Sequence, residues 1–461
     1  MNRRQALTGA VAAAAGIGAS AVGAEEGNVR LPEIDEMTNV CAHEHWGSLP
    51  SIGFAGEGFR ADNVAGAGSD DVTLFDLLFC PYLHGFLAQG GFDTHGLASA
   101  GGYSDIMAMA RQEPEKVIAA ALPHLRSQRT TGAVTCLTLG VRLLHEFDLD
   151  DLSPSNFRAV SDRINMRYRN IFGWYRQAME TAHMAGPYRA VGLSFLLERE
   201  NPQAAERELS FTKPLLRVDD YLSPAHKANQ RFRYTMDKLG MEPTDAATWR
   251  AFIGEIMDRA AGAGCIGIKQ LQAYSRDLDF QPVGDDAVDF SADEGEGLRT
   301  LQNWIVNVFC EEANARGWPF QIHVGTHNLP QSSPLPLATL MVLYPSVKFV
   351  MIHTWPYLDE TAFLVQQHHN AYVDTCWLPI LSHSHMEAAL RTYIGYVPGH
   401  KLMLSQDATS VELAAGSSQV NRALLRKVLA EKIDDGLIEE RHALDLAQWA
   451  LGDNARAVHG T

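Results

Sequence analysis

The 461-residue sequence has few cysteines, and none of them stands in metal-binding or disulfide-scaffold spacing. All six occur singly, without a C-x-x-C motif, so the sequence predicts neither a zinc knuckle nor a disulfide framework. Three lie inside apolar, strand-like runs, where a cysteine usually behaves as a small buried hydrophobe: Cys41, Cys265 and Cys376. We assign no cysteine a catalytic role.

Positive charge is also in short supply. The formal net charge is -17, whereas proteins that bind phosphate backbones carry basic patches. The sequence therefore predicts no nucleic-acid partner. The composition, with 46% hydrophobic and 20% charged residues, is that of an ordinary globular protein and excludes extensive disorder.

Residues 1–24 have the composition of an export signal rather than of a membrane anchor. A charged start precedes a weakly apolar, alanine-rich stretch from Ala6 to Gly23 that ends in small residues. The Arg3-Arg4 pair resembles a twin-arginine signal, which implies export of a folded protein. We expect an exported, periplasmic protein without a stable membrane anchor; the alternative is a leader of no consequence.

The length and rhythm of the chain predict an α/β fold. A chain of this size accommodates one α/β barrel with insertions. Short apolar runs in the second half alternate with helix-like segments at about the spacing of a βαβ unit, roughly 30 residues. The clearest runs are YRAVGLSFLL, GCIGIK, PFQIH, KFVMIH, NAYVDTCW and HKLMLSQD. We predict a (β/α)8 TIM barrel with insertions over its C-terminal face.

Residues 31–461 are expected to form one domain with two elaborations. The charged stretch 201–244 interrupts the strand rhythm and is predicted to be an insertion, with a lid, an oligomer contact and a solvated elaboration left open. Residues 412–461 have the apolar spacing of amphipathic helices and predict a C-terminal helical extension. The segment TGAVTCLTLGVRLL fits a strand or a helix equally well.

His43 and His45, in the segment CAHEHW, carry the strongest functional signal. They stand two positions apart just after an apolar run, so on a β-strand both imidazoles would project from the same side. Two neutral imidazoles on one face make half of a transition-metal site. The pair is weak evidence alone, because the chain has 18 histidines and most histidines are structural or surface groups.

The same pattern of an apolar run followed by a metal-ligand type recurs downstream. His323 closes PFQIH, His353 closes KFVMIH and Asp407 follows KLMLSQ. Because the C-terminal ends of barrel strands share one face, we expect these side chains to meet the histidine pair at one mouth. Zinc is the default for an imidazole and carboxylate set, with manganese or iron as alternatives.

These residues resemble the amidohydrolase superfamily, and more narrowly its amidohydrolase-related branch. The resemblance covers most of the chain after the leader. It includes the closing segment LGDNARAVHG and six residues at the ends of predicted strands: His43, His45, Lys269, His323, His353 and Asp407. The segments CPYLHGFLAQGG and GVRLLHEFDLDDLSPSNF more loosely resemble uronate isomerases. Two departures are the context LSQDATS, where many relatives have Gly-Ser-Asp, and Gln270 beside the lysine.

The resemblance implies a metal-dependent hydrolase that uses metal-activated water on a C–N or related bond of a small molecule. Four ligands would bind one divalent ion, or two, and leave a coordination position open for water: His43, His45, His323 and Asp407. Asp407 would also accept the proton of the water. His353 would polarise a carbonyl, or become a ligand in a two-metal site. We favour one ion.

Lys269 distinguishes the one-metal and two-metal versions. The resemblance allows a carboxylated lysine that bridges two metals; the alternative is an ammonium that pairs with a substrate carboxylate or a neighbouring acid. Arg276 is predicted to clamp a substrate carboxylate, or else to be a surface arginine. Trp46 and Trp377 are predicted pocket walls, although aromatics beside strand ends more often pack in the core.

Three other functions stay open at this point. The first is aldose–ketose isomerisation of a sugar acid, and the second is metal-dependent decarboxylation. The third is metal binding without turnover. The partner expected in each case is a small molecule, and a homo-oligomer is left open.

Overall fold

The computed structural model describes residues 30–46, 72–92, 103–193, 209–222 and 229–461. Every strand pair in these ranges is parallel. The predicted α/β fold with a parallel sheet is therefore confirmed. The leader predicted at residues 1–24 lies outside the described residues.

A seven-stranded parallel sheet, ordered β3 to β9 along the chain, forms the centre of the fold. Its strands are β3 (Tyr188–Val191), β4 (Lys213–Arg217), β5 (Ile268–Gln270), β6 (Phe320–Val324), β7 (Phe349–His353), β8 (Ala371–Asp374) and β9 (Leu402–Met403). β1 (Asn39–Val40) and β2 (Met184–Ala185) form a separate parallel pair. β6 and β7 are buried at every position, as expected for parallel strands covered on both faces.

The segment that follows β1 is hydrogen-bonded to both edges of the seven-stranded sheet. On the β3 side, the amide of Glu44 donates to the carbonyl of Tyr188 at 2.9 Å. On the β9 side, the amide of Asp407 donates to the carbonyl of His43 at 3.0 Å. These bonds fix the histidine pair at the same end of the sheet as the late aspartate.

Helices connect the strands and cover the sheet. Each connection between consecutive strands from β4 to β9 contains at least one helix, as parallel crossovers require. Before β2 the helices are Leu74–Leu78, Pro81–Gln89, Tyr103–Gln112, Pro114–Ser127, Gly132–His145, Phe157–Tyr168 and Ile171–Thr181. After β4 they are Gln230–Leu239, Ala246–Gly262, Gly295–Arg316, Ala338–Leu343, Leu358–Gln367, Leu378–Leu381, His383–Tyr393, Val411–Asp434, Glu440–Gln448 and Asn454–His459.

None of the helices in the described ranges is both long enough and apolar enough to cross a bilayer.

Two of these helices pack with their backbones almost in contact. The segment that fitted strand or helix forms the helix Gly132–His145, which packs on the helix Val411–Asp434. A Cβ at Gly416 would lie 1.7 Å from the carbonyl oxygen of Cys136, and a Cβ at Gly140 would lie equally close to a backbone oxygen of the other helix. The helix that follows the Asp407 loop is thus held against the N-terminal helical layer.

The predicted insertion at residues 201–244 needs correction. Residues 201–208 and 223–228 lie outside the described residues, but the segment between them contains β4, the second strand of the sheet. The prediction of an insertion was wrong for this segment because β4 has only three consecutive buried residues and is flanked by charged ones. So short an apolar run does not stand out in a charged stretch.

Candidate active site

Three potential metal ligands meet at the C-terminal end of the sheet: His43, His353 and Asp407. One ligand atom of each lies within 4.8 Å of the other two, and all three residues are buried. His43 follows β1, His353 ends β7 and Asp407 follows β9. The fold collects these side chains because parallel strands end on a common face.

The imidazole of His43 is oriented by Gln321 of β6. Nδ1 of His43 lies 2.8 Å from Oε1 of the glutamine, so Nδ1 carries the proton and Nε2 keeps its lone pair. Nε2 is buried, makes no hydrogen bond with any described residue, and lies 3.9 Å from Oδ1 of Asp407. A buried lone pair without a donor fits a ligand atom that awaits a metal.

His353 is oriented in the same way. Its Nδ1 donates to the carbonyl oxygen of Cys376 at 3.0 Å, and its Nε2 lies 3.5 Å from Oδ2 of Asp407. The backbone φ angles of His353 and Asp407 are 72° and 55°. Non-glycine residues seldom adopt this left-handed region, and such strain concentrates at functional sites.

Asp407 is the charged centre of the cluster. The hydroxyl of Tyr82 donates to Oδ1 at 2.8 Å, and Nε2 of His45 lies 3.1 Å from the same oxygen. Burial alone would raise the pKa of this carboxyl, but His43 and His45 hold the pKa well below its ordinary value. The carboxylate is therefore ionised at neutral pH.

The imidazoles of the cluster are neutral. Burial lowers the pKa of His43 well below its ordinary value and lowers the pKa of His353 to about 4. Neutral imidazoles and an ionised carboxylate are the forms that bind a divalent transition metal. The chemistry of the three donors therefore suits a divalent metal, and two of them, His43 and Asp407, are among the four ligands expected from the sequence.

His323 lies beside the cluster, and its buried Nδ1 makes no hydrogen bond within the described residues. Its ring centroid is 4.4 Å from that of His353, yet its Nε2 lies 2.8 Å from the hydroxyl of Thr326. The sequence predicts His323 as a ligand and His353 as the residue that faces the substrate. The described ligand atoms that lie within 4.8 Å of one another include one of His353, so His353 joins the candidate ligands, and the role of His323 stays a prediction.

Lys269 lies in β5, almost fully buried, one strand away from Gln321. The two residues are register partners, so their side chains project from the same face of the sheet. This is the face on which Gln321 orients His43. Burial, and after it the charge of Arg217, lowers the pKa of Lys269 to about 7. The sequence thus located a lysine with an unusual environment next to the cluster.

Arg276 was predicted to clamp a substrate carboxylate, but its guanidinium is held by other groups of the protein. All five N–H groups of its guanidinium are directed at protein acceptors: the carbonyl oxygens of Asp277, Asp279 and Arg299, and the side chains of Gln302 and Asn303. The guanidinium also lies 4.6 Å from the ring centre of Phe280. It has no donor left for a substrate.

Trp46 belongs to the core. It is fully buried, and its ring packs on Tyr175 and Phe211 at centroid distances of 4.9 and 5.6 Å. The prediction that Trp46 forms a pocket wall is corrected accordingly. Trp377, the other predicted pocket wall, does border the cluster, with its ring 5.3 Å from that of His353.

Aromatic rings line the site beyond Trp377. Tyr82 lies 5.0 Å from its ring on one side, and His327 stacks on it at 5.5 Å on another. Tyr274 in turn stacks on His327 at 4.4 Å. Sequence reasoning assigned no role to Tyr82, Tyr274 or Gln321, since nothing in their local context announces the contacts they make.

The sequence of this chain is similar to those of known proteins. The amidohydrolase family model matches residues 225–461, just over half of the chain. Protein fluG of Emericella nidulans is 25% identical over 235 residues, which are 46% of this chain and 27% of that protein. The chain therefore spans only about a quarter of the length of this curated relative.

Solved structures resemble nearly the whole chain. Glucuronate isomerase from Caulobacter crescentus has a TM-score of 0.74 at 13% identity, with 95% of this chain and 97% of that chain covered. Uronate isomerase from Thermotoga maritima has a TM-score of 0.71 at 11% identity, with coverages of 92% and 96%. A candidate metal-dependent hydrolase from Lactobacillus casei has a TM-score of 0.62 at 16% identity, with coverages of 94% and 98%. At these identities the likeness concerns the fold.

Proposed function

Because this chain belongs to the amidohydrolase family, we propose that it is a metal-dependent hydrolase that cleaves a C–N or related bond of a small molecule. One observation carries the proposal. Nε2 of His43 and Nε2 of His353, each oriented by a hydrogen bond at Nδ1, converge on the carboxylate of Asp407. Convergence of two neutral imidazoles and one anion is the arrangement that a divalent metal requires.

The metal would be held by His43, His353 and Asp407, with His45 beside them. A divalent ion, when bound there, supplies the Lewis acidity that makes water a nucleophile near neutral pH and polarises a carbonyl. We propose a single ion, with zinc as the first candidate. The alternative is a site with two ions, which a carboxylated Lys269 would help to hold.

Asp407 is the residue that moves the proton in this proposal. Its Oδ1 is engaged by the Tyr82 hydroxyl and by His45, whereas the neighbour of Oδ2 is His353 at 3.5 Å. Oδ2 is therefore the oxygen that accepts the proton of the attacking water and donates it to the departing nitrogen. The carboxylate is almost fully buried, and the ring of Tyr82, whose hydroxyl bonds to it, packs on Trp377.

A second candidate function is isomerisation of a sugar acid. It is suggested by the names of the two uronate-isomerase structures that share the fold, and by the uronate-isomerase-like segments of the sequence. In that reaction the base would move a proton between adjacent carbons, and no water would be consumed. Product analysis separates the two reactions.

The test begins with metal analysis of the purified protein. We expect about one ion per chain; two ions would favour the alternative with Lys269. The metal-loaded protein is then assayed on amides, lactones and uronates, and hydrolytic products are expected. Clean ketose formation from a uronate would replace the hydrolase proposal with the isomerase.

Asp407→Asn tests the assigned proton carrier. Loss of one acid–base group should lower turnover by about 10²- to 10⁴-fold. The matched control is Asp434→Asn, which changes an aspartate whose side chain is 62% exposed and paired with Arg30 at the surface. Full activity in Asp407→Asn would refute the role.

We further propose that the segment after β1 completes an eight-stranded barrel, because its backbone bonds to both edges of the sheet. We also keep the proposals of a small-molecule substrate and of export to the periplasm. N-terminal sequencing of the protein recovered from its own cell tests the proposed export, and we expect cleavage near Ala24.

A further inference from the structure

We propose that Arg217 and Lys269 form a subsite for a carboxylate group of the substrate. The identity of the bound molecule as a substrate rests on the proposed function. The subsite itself follows from the placement of two cations on adjacent strands beside the metal-binding cluster.

The sheet register aligns these cations with the cluster. Arg217 of β4 is the register partner of Lys269 of β5, and Lys269 is in turn the partner of Gln321 of β6. Register partners on neighbouring strands project from the same face of a sheet. Since Gln321 bonds to the imidazole of His43, the two cations share the face that carries the cluster.

Like charges in directly adjacent positions destabilise a sheet, so an anion bound between Arg217 and Lys269 would stabilise this one. The nearest acid is Asp219, but the contact is incomplete. Its Oδ2 lies 3.8 Å from Nε of Arg217, beyond hydrogen-bond distance, and its Oδ1 accepts the amide of Leu271 at 2.6 Å. Nε of Arg217 is buried and makes no hydrogen bond within the described part of the chain.

The two cations are neighbours in a buried part of the sheet. Lys269 is almost fully buried, and its register partner Arg217 lies on the adjacent strand. The charge of Arg217 is the second cause, after burial, that lowers the pKa of Lys269. An anion placed between the two side chains would favour the charged form of the lysine.

A carboxylate suits this pair better than a neutral polar group. The planar guanidinium can donate two parallel hydrogen bonds to the two oxygens of a carboxylate. Lys269 would donate to one of the same oxygens from the neighbouring strand.

The test compares acids with their neutral counterparts on the metal-loaded protein. Benzoate is paired with benzamide, and D-glucuronate with D-glucuronamide, and each is titrated calorimetrically. We expect at least one acid to bind about 10- to 100-fold more tightly than its amide, the worth of a hydrogen-bonded charge pair. Equal binding within both pairs, or no binding by any probe, would overturn the subsite.

Arg217→Gln should abolish the preference for the acid, whereas Arg217→Lys should retain part of it. The matched control is Arg158→Gln, which changes an exposed arginine paired with Glu115 and should keep the full preference. Metal content and circular dichroism are measured for each variant. A folded, metal-loaded Arg217→Gln protein that still prefers the acid would refute the assignment, because the preference would then come from the metal alone.

Turnover measured on the same samples keeps the two proposals apart. A wild-type protein that prefers acids but hydrolyses no compound of the assay panel would refute the hydrolase and leave the subsite intact. Hydrolysis without any preference for acids would refute the subsite and leave the hydrolase proposal intact.

Discussion

The hydroxyl of Tyr82 donates a 2.8 Å hydrogen bond to Oδ1 of Asp407, although the two residues stand 325 positions apart. Tyr82 lies in the helix Pro81–Gln89, before the residues 225–461 that match the family model. His43 and His45 also precede that stretch. The matched half of the chain therefore does not contain the whole site, and the N-terminal half supplies groups that touch the central carboxylate.

Tyr82→Phe should lower kcat by about 10- to 100-fold, because a hydrogen bond to a charged acceptor contributes about 1.5–3 kcal/mol. KM should change little, since phenylalanine retains the ring that packs 5.0 Å from Trp377. Steady-state kinetics with the best substrate of the assay panel measures both constants. The control is Tyr396→Phe, at a tyrosine that is half exposed. A variant with raised KM and unchanged kcat would show that Tyr82 only shapes the pocket.

Gln321→Met should weaken metal binding by about 10- to 100-fold, the usual effect of removing the group that orients a ligating histidine. Gln321 accepts the Nδ1 proton of His43 and also donates to the carbonyl of Ala42. Competition with a chelator of known affinity measures the change. Gln366→Met, at an exposed position, serves as the control. Equal metal affinity in wild type and Gln321→Met would remove His43 from the ligand set.

Much of this site was predictable because one local rule governs it. An apolar run that ends in histidine or aspartate puts that residue at the C-terminal edge of a parallel sheet, and this rule located His43, His323, His353 and Asp407. The roles of His323 and His353 did not follow from it. Their ring orientations depend on Thr326 and on the carbonyl of Cys376, which local sequence does not relate to the metal.

Contacts between distant segments could not be predicted. Arg217 stood in a stretch interpreted as an insertion, and only the register of β4 with β5 places it beside Lys269. Arg276 had a suggestive local context, yet five protein acceptors surround its guanidinium. Lys269 lies on the strand next to Arg217, and the side chains that bind Arg276, those of Gln302 and Asn303, lie on the following helix, so local sequence does not reveal these contacts.

Glu412→Gln should destabilise the protein at neutral pH by about 3 kcal/mol, because it breaks a fully buried pair with His145. Tyr168 and Trp174 also donate to this carboxylate. Burial would raise the pKa of Glu412, but the hydrogen bond and charge of His145 and the Tyr168 hydroxyl lower it below its ordinary value.

The pH dependence of this effect has a definite sign. A carboxyl whose pKa is lower in the folded state stabilises the fold above the unfolded pKa, about 4.3, and that stability is lost as pH falls further. Urea unfolding at pH 7, 5, 4 and 3.5 should therefore show the difference between wild type and Glu412→Gln shrinking below about pH 4.3. A difference that stays constant down to pH 3.5 would contradict the assigned shift.

Gly416→Ala should destabilise the fold by about 1–3 kcal/mol or more, since overpacking at a rigid contact forces backbone to move. The added Cβ would lie 1.7 Å from the carbonyl oxygen of Cys136, and this atom belongs to a helix backbone that cannot rotate away. The matched control is Gly254→Ala, in the middle of the helix Ala246–Gly262, where a Cβ meets no described atom within 4 Å. That change should instead stabilise the protein by about 0.5–1 kcal/mol, because alanine loses less backbone entropy in a helix. Thermal unfolding of both variants measures the two effects, and equal melting temperatures would mean that the two helices do not pack as closely as described.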